Sequence, residues 1–237
     1  MSTTQNKKAS SGLEIAAILT IAGGALDAYT YACRGGVFAN AQTGNIIRLG
    51  IFLANGNYSE CILLMISIAA FGLGTFTALI IQKNFYKIRE KSARRFILLI
   101  EMLVVIAVAF IPHGDTMNTI ANALISFMAA MQMEAFKTFS GQTMTTTVST
   151  GNYRKLIEYV YQGIENHDVK CCLIAFQYAL VIFFFIAGGF MGLKLALWTG
   201  IRSVLFELIP LSLVFMIITI KTNNLKPVTG NQKMSLI

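Results

Sequence analysis

The stretch CCLIAFQYALVIFFFIAGGFMGL, from Cys171 to Leu193, contains no charged side chain. As an α-helix it would extend about 35 Å, whereas the hydrocarbon core of a bilayer is about 30 Å thick. Because hydrocarbon offers no hydrogen-bond partner to a backbone N–H or C=O group, an apolar run of this length is expected to be helical. The stretch therefore predicts a transmembrane helix.

The rest of the chain has the same character. Of its 237 residues 55% are hydrophobic and only 13% are charged, whereas about 25% are charged in an ordinary soluble domain. Five further apolar runs can cross a bilayer, although the two shortest must begin and end in the headgroup region. These runs are Ile15–Cys33, Cys61–Ile81, Phe96–Ile111, Met117–Phe136 and Val204–Ile220. We expect an all-α polytopic membrane protein with six transmembrane helices.

The chain also resembles itself. A shift of 107 residues, from 27 to 134 and from 43 to 150, aligns Asp27-Ala28 with Glu134-Ala135 and Thr43-Gly44-Asn45 with Thr150-Gly151-Asn152. The same shift lays three of the apolar runs on the other three, which is typical of an internal repeat. We expect a first repeat at 15–111 and a second at 117–220, between a polar N-terminus at 1–14 and a tail at 221–237.

Each repeat contains one element that cannot span the membrane alone. In Gly35–Ala54 only a short apolar helix of about 13 Å is possible, and Gln142–Gln162 is more polar still. Exposing such polar groups to lipid is too costly, but a re-entrant or broken helix packed inside the protein is tolerated. We therefore expect two re-entrant half-helices, each containing a Thr-Gly-Asn sequence.

The basic residues favour this topology. Six spans with a cytoplasmic N-terminus leave only Arg34, Arg48, Lys194 and Arg202 outside, and so place 15 of the 19 basic residues inside. Eight full spans would place at best 10 of the 19 inside, so the positive-inside rule favours six. Three spans per repeat make the second repeat inverted, a recurring plan of secondary transporters. Both termini are then expected to face the cytoplasm of a bacterial cell.

An acid lies within the first span. Asp27 follows twelve residues of that run and shares one helical face with Thr20, Gly24 and Tyr31. Intramembrane acids usually mark ion, proton or substrate paths, although a protonated Asp can also serve only as a hydrogen bond between helices. Glu134 holds the matching position in the second repeat, where it could be functional or could simply reach the membrane surface.

Thr and Asn side chains can hydrogen-bond backbone groups, and Gly allows close approach, so Thr-Gly-Asn suits a helix start inside a membrane; a plain polar turn is the alternative. Helix N-termini facing a cavity would favour an anionic group, while the carboxylates would bind a proton or cation. The predicted substrate- or ion-binding residues are Asp27, Tyr31, Asn40, Gln42, Thr43, Gly44, Asn45, Gln132, Glu134, Thr150, Gly151 and Asn152.

Other features suggest structural roles. Gly74, Gly188, Gly189 and Gly192 are typical of close helix packing, and Pro210 is expected to kink the last span. Glu101 and Glu207 lie within about two turns of a helix end and are expected to reach the membrane surface.

No chemistry of another class is indicated. The four Cys and two His residues have no metal-binding spacing, and no phosphate loop or nucleophile triad is present, so we expect no metal, no cofactor and no enzyme. The net charge of +8 is typical of cytoplasmic loops rather than of nucleic-acid binding.

The run GGALDAYTYACRGGVFANAQTGN, from Gly23 to Asn45, resembles the YoaK-type bacterial membrane proteins, a family of unknown function. The resemblance continues through MQMEAF (Met131–Phe136) and TTTVSTGN (Thr145–Asn152) and covers nearly the whole chain. It implies a small polytopic inner-membrane protein with Asp27 and both Thr-Gly-Asn sequences at matching positions. The family more often has an uncharged amide where this chain has Glu134, which makes Asp27 the better candidate.

These observations predict a secondary transporter or exporter of a small solute, coupled to protons or a cation. Two alternatives stay open: a passive channel, and a membrane sensor or assembly partner whose polar site is structural. The expected partners are membrane lipid, a small solute or ion, and possibly a second copy of the chain.

Overall fold

The computed structural model describes residues 2–85, 90–139 and 141–223, and these are almost entirely helical. The α-helices are α1 (Ser2–Cys33), α2 (Gln42–Ala54), α3 (Tyr58–Phe85), α4 (Glu90–Ala109), α5 (Asp115–Ala135), α6 (Thr150–Glu165), α7 (Val169–Thr199) and α8 (Leu208–Asn223). A 3₁₀ helix, Gly200–Glu207, joins α7 to α8, and the strands β1 (Thr138–Phe139) and β2 (Gln142–Thr143) pair antiparallel. The all-α prediction is confirmed, with this small hairpin as an addition.

Three helical stretches are long and apolar enough to cross a membrane. They are Gly12–Cys33, Tyr58–Phe85 and Val169–Lys221, the last of which contains α7, the 3₁₀ helix and α8. Helices α4 and α5 lie where the apolar runs Phe96–Ile111 and Met117–Phe136 were predicted, but more of their residues are polar. The apolar helices identify the chain as a membrane protein.

The outer surface of the helices is apolar. Exposed side chains include Leu73 and Phe76 on α3 and Phe183 and Phe190 on α7. Soluble monomers rarely expose large contiguous apolar areas, whereas a surface in contact with lipid requires them. The same helices use their glycines, rather than these large side chains, where they face one another.

Glycines let the helix backbones touch. A Cβ added to Gly24 of α1 would lie 2.1 Å from the carbonyl oxygen of Phe185 in α7, and one added to Gly188 would lie 2.1 Å from that of Ile21. Gly74 of α3 meets Phe127 of α5 in the same way. Because lipid provides no hydrophobic drive for helix association, such close packing holds membrane helices together. The predicted packing role of these glycines is confirmed.

The remaining contacts follow a simple pattern. The short helix α2 packs on α3, and α6 packs on α7. Helix α4 packs on α5, on the 3₁₀ helix and on α8, while α8 also packs on α1. Helices α2 and α6 therefore each pack against the helix that follows them in the chain.

Three expectations require correction. The stretch at 1–14 was expected to precede the first helix, but α1 already begins at Ser2, since nothing there breaks a helix. Pro210 was expected to kink the last span, but it lies in the first turn of α8, where a backbone N–H has no partner within the helix. The change from 3₁₀ to α geometry comes just before it. Most of the tail at 221–237 and part of the basic run at 83–95 lie outside the described residues.

The third correction concerns two acids. Glu101 is completely buried and Glu207 is nearly so, although both were expected to reach the membrane surface. The reason is the packing of α4 against the 3₁₀ helix and α8, which covers this face of both elements. The burial of these two acids therefore depends more on which helix face is covered than on their distance from a helix end.

Glycine 74 provides a test of the packing. We expect Gly74→Val to lower the free energy of unfolding by about 1–3 kcal/mol, because the added side chain would meet the backbone of Phe127. Gly72→Val, on the exposed side of the same helix, meets nothing within 4 Å and should be nearly neutral. Unfolding of both variants in detergent would measure the difference, and equal stability would contradict the packing role.

Candidate functional site

Asp27 lies in the interior of the protein, with 8% of its surface exposed. Its carboxyl Oδ1 accepts a hydrogen bond from the backbone N–H of Asn40 at 3.3 Å, and the Asn40 side-chain amide donates to the carbonyl of Gly23 at 3.0 Å. The segment after α1 can fold back in this way because Gly35 and Gly36 adopt positive φ values of 88° and 71°.

The same segment is bonded to α1 and α5 next to Asn40. The backbone N–H of Ala39 donates to the Thr30 hydroxyl at 3.4 Å, and the Ala39 carbonyl accepts from the Ser126 hydroxyl at 2.8 Å. The side-chain amide of Gln42 donates to the same carbonyl at 2.9 Å. Polar groups from α1, α2 and α5 therefore meet at Ala39.

From this point the hydrogen bonds extend to α2 and α3. The Gln42 amide also donates to the Ser126 hydroxyl at 3.1 Å, and the Asn45 amide donates to the Gln42 side-chain oxygen at 2.9 Å. The hydroxyls of Ser67 and Ser126 are 2.9 Å apart. We call the side chains and backbone groups of Asn40, Ala39, Gln42, Asn45, Ser67 and Ser126 the polar network. It connects Asp27 to the buried end of α2.

The segment before α6 contributes polar groups of its own. Asn152 at the start of α6 donates to the Thr145 carbonyl at 2.6 Å and accepts from the Thr145 N–H at 3.1 Å. This pair holds the backbone of the segment before α6 against α1, where a Cβ on Gly23 would lie 2.3 Å from the carbonyl oxygen of Thr146. Asn40 and Thr146 thus contact the same turn of α1.

Asp27 and the start of α6 line one cavity of about 470 Å³. Thr147, Ser149 and Thr150 form its polar side, and Phe185 of α7 lies on its apolar side. Among the described residues, the hydroxyls of Thr147 and Ser149 have no hydrogen-bond partner. The N-cap residue of α6, Ser149, makes no side-chain cap hydrogen bond, and the first N–H groups of a helix have no partner within the helix itself.

These groups define what the cavity can do chemically. An uncapped helix N-terminus favours a negative group, and a carboxyl can bind a proton or a cation. The two hydroxyls can each donate or accept a hydrogen bond. The cavity can therefore hold a small polar solute beside a carboxyl that is able to change its charge.

The other Thr-Gly-Asn sequence lies elsewhere. Asn45 lines a separate cleft of about 320 Å³, while Thr43 and Gly44 are exposed. Of the predicted residues, the structure brings Asp27 and Thr150 together at one cavity and joins Asn40, Gln42 and Asn45 to it through hydrogen bonds. The two repeated sequences do not line a common cavity.

Four further predicted residues lie away from the Asp27 cavity. Tyr31 is 56% exposed and stacks on Phe38, and Gly151 has open space around it. Gln132 is buried in α5 without lining the cavity. Glu134 pairs with Lys137 at 2.6 Å, and 18% of its side-chain surface is exposed. This ion pair favours the structural interpretation of Glu134.

Arg34 is a buried residue whose role sequence reasoning missed. All its donor groups are used: Nε bonds to the Tyr29 hydroxyl, Nη1 to the Pro112 carbonyl and the Asn118 side chain, and Nη2 to the carbonyls of Val108 and Ile111. Carbonyls at the C-terminal end of α4 carry partial negative charge and stabilise a cation. The guanidinium therefore fastens the end of α1 to the α4–α5 connection.

One sequence signal could have located this region. Asn118, Asn122 and Ser126 are spaced four residues apart on one face of α5, and all three bond to the segment 34–39. The Asn122 amide donates to the Arg34 carbonyl at 2.8 Å. The polar stripe of Asn118, Asn122 and Ser126 runs along α5 towards the start of the helix.

The fold and site together define a helical integral membrane protein with a buried polar centre. The chain belongs to the DUF1275 family of proteins of unknown function, whose family model matches residues 15–218. The match includes the predicted repeats, from α1 into α8. No curated protein and no solved structure was found to match the chain. Function must therefore be argued from the site.

Arg34 allows a test of the buried centre. We expect Arg34→Lys to lower the free energy of unfolding by at least about 3 kcal/mol, because an ammonium cannot reach all five acceptors and leaves buried carbonyls without partners. Arg202→Lys is the control, since Arg202 is exposed. Unfolding in detergent would compare the two, and equal stability would show that Arg34 is not required.

Proposed function

We propose that this protein is a secondary transporter or exporter of a small polar solute in the bacterial cytoplasmic membrane, coupled to protons or a cation through Asp27. One observation carries the proposal: a carboxyl within an apolar helix opens into a cavity shared with the uncapped start of α6. Burying an acid and a helix N-terminus in an apolar protein is costly, and such groups usually line ion or substrate paths.

The helix contacts support an inverted repeat. The shift of 107 residues that relates Asp27 to Glu134 converts α1 into α5, α3 into α7, and α4 into the 3₁₀ helix with α8. The packing of α1 on α7 then becomes the packing of α5 on α3, and α4 on α5 becomes α8 on α1. Each contact between repeats has its counterpart, as a two-fold relation requires.

The direction and the ends of the helices support six spans. Gly188 meets Ile21 and Gly192 meets Ala25, so α1 and α7 run parallel, as the first and fifth of six spans must. Lys221 near the end of α8 lies 3.8 Å from Glu14 near the start of α1. The beginning of the first apolar span and the end of α8 therefore lie on one side, which the six-span topology makes cytoplasmic.

The polar network favours a gated transporter over an open pore. Its hydrogen bonds from Ala39 through Ser126 and Gln42 link the segment beside Asp27 to Asn45, which lines the cleft. A passive channel needs a continuous path, whereas alternating access needs a closed barrier that can move. We assign the Asp27 cavity to the cytoplasmic side and the cleft to the outer side.

Asp27 is the first functional test. In proteoliposomes with a pH gradient, we expect Asp27→Asn to reduce gradient-driven solute flux at least tenfold, because the amide cannot exchange a proton. Glu134→Gln, which alters only the partly exposed ion pair with Lys137, should retain flux. Flux would be measured with a panel of labelled amino acids, sugars, organic acids and amines.

Three results would contradict this proposal. Flux in Asp27→Asn equal to that of the unchanged protein would remove the carboxyl from the mechanism. Non-saturating flux that ignores every ion gradient would indicate a channel, and background flux for the whole panel would favour a sensor or assembly partner.

The assigned sides can be tested by thiol labelling. After the cysteines at 33, 61, 171 and 172 are replaced by serine, we expect Thr150→Cys to react with a membrane-impermeant maleimide only from the cytoplasmic side. Asp115→Cys, in the cleft, should react only from the outside. Labelling of intact cells and of inverted vesicles distinguishes the sides, and labelling of both positions from one side would contradict the topology.

A further inference from the structure

The cleft of about 320 Å³ lies where the end of α1, the first turns of α2, and the starts of α3 and α5 meet. Its volume is within the range of about 300–1,000 Å³ that small-molecule sites occupy. Its lining is rich in polar and charged residues, unlike the exposed faces of α3 and α7. The cleft shares no lining residue with the Asp27 cavity.

Charges of both signs line the cleft. Arg48 on α2 is half-buried and lies over the ring of Phe52 at 5.7 Å, and no described carboxylate is within 4.0 Å of it. Glu60 on α3 and Asp115 on α5 are exposed at the rim. A molecule in this space would meet one cationic and two anionic side chains.

Asn122 provides the second, independent observation. Its side chain is buried, and its amide nitrogen donates a hydrogen bond to the Arg34 carbonyl. Its oxygen Oδ1 is buried without a hydrogen-bond partner among the described residues. Leaving such an acceptor unsatisfied is costly, so a donor from a bound molecule would stabilise the site.

Arg34 adds a positive charge to the deep part of the cleft without binding the ligand itself. All its N–H donors are used, and the groups that accept from them are neutral rather than carboxylates. The charge is therefore not cancelled by a contacting anion. Together with Arg48 it favours a negative group on the molecule that the cleft holds.

We propose that this cleft is a binding site for a small zwitterion of the amino-acid type. The carboxylate pairs with the Arg48 guanidinium, and the ammonium is attracted by Glu60 and Asp115 and donates to Asn122 Oδ1. An anion alone would face the two rim carboxylates, and an amine alone would face Arg48. That the cleft is the outer end of a transport path rests on the proposed function, whereas the binding itself does not.

The full-length protein purified in detergent can be tested by isothermal titration with L-alanine and L-glutamine. Propionate and ethylamine are the matched probes, since each keeps only one charged group of alanine. We expect saturable binding of at least one amino acid and at least tenfold weaker binding of both analogues. Arg48→Gln and the pair Glu60→Gln with Asp115→Asn should each weaken amino-acid binding at least tenfold, while Arg202→Gln should not change it.

The proposal is overturned if neither amino acid binds, if either analogue binds as well as alanine, or if the cleft variants bind as the unchanged protein does. Thermal unfolding of each variant without ligand shows whether it is folded, and the exposure of Glu60 and Asp115 makes their replacement tolerable. Loss of cleft binding alongside intact Asp27-dependent flux would reject this inference and leave the proposed function standing.

Discussion

The contact of the α1 backbone with that of α7 is the constraint on which the centre of the protein depends. Gly24 lies against Phe185, and only a glycine allows this approach. One turn further along, the same face of α1 carries Asp27, so the packing that brings the helices together also places the carboxyl at their junction. A larger residue at Gly24 would separate α7 from α1 and open the apolar wall of the cavity. Helix association and site geometry are therefore one property of this chain.

Arg34 solves a different problem, which is to keep a charge inside an apolar protein. A carboxylate partner would neutralise it, but both ions would then have to be removed from water. The chain instead surrounds the guanidinium with the carbonyls of Val108, Ile111 and Pro112 at the end of α4, whose partial charges are already present in the fold. This arrangement leaves Glu60 and Asp115 without a structural ion pair to Arg34, and thus available at the rim of the cleft.

The sequence predicted the helices well because long apolar runs allow few alternatives in lipid, and Gly24 and Gly188 were recognised because small residues mark close packing. It predicted Asp27 and Asn40 for the site but could not separate the cavity from the cleft. That division depends on the backbone path of 34–41, which is set by bonds to Ser126 and Asn122, far away in the chain. The burial of Arg34 and Glu101 was missed for the same reason. The helix that covers each side chain comes from a distant part of the sequence, so the neighbouring residues do not reveal it.

The strengths of these interactions differ in a way that suits a moving barrier. The bonds of Gln42, Ser126 and Asn45 join neutral groups, and hydrogen bonds between membrane helices average about 0.6 kcal/mol each. Breaking several of them costs a few kcal/mol, which solute binding and a proton gradient would supply in the proposed transporter. The Arg34 cluster and the glycine contacts are much stronger, because buried carbonyls and packed backbones have no alternative partners in lipid. Motion is therefore expected at the polar network between the cavity and the cleft, with the parallel pairs α1–α7 and α3–α5 moving as rigid units.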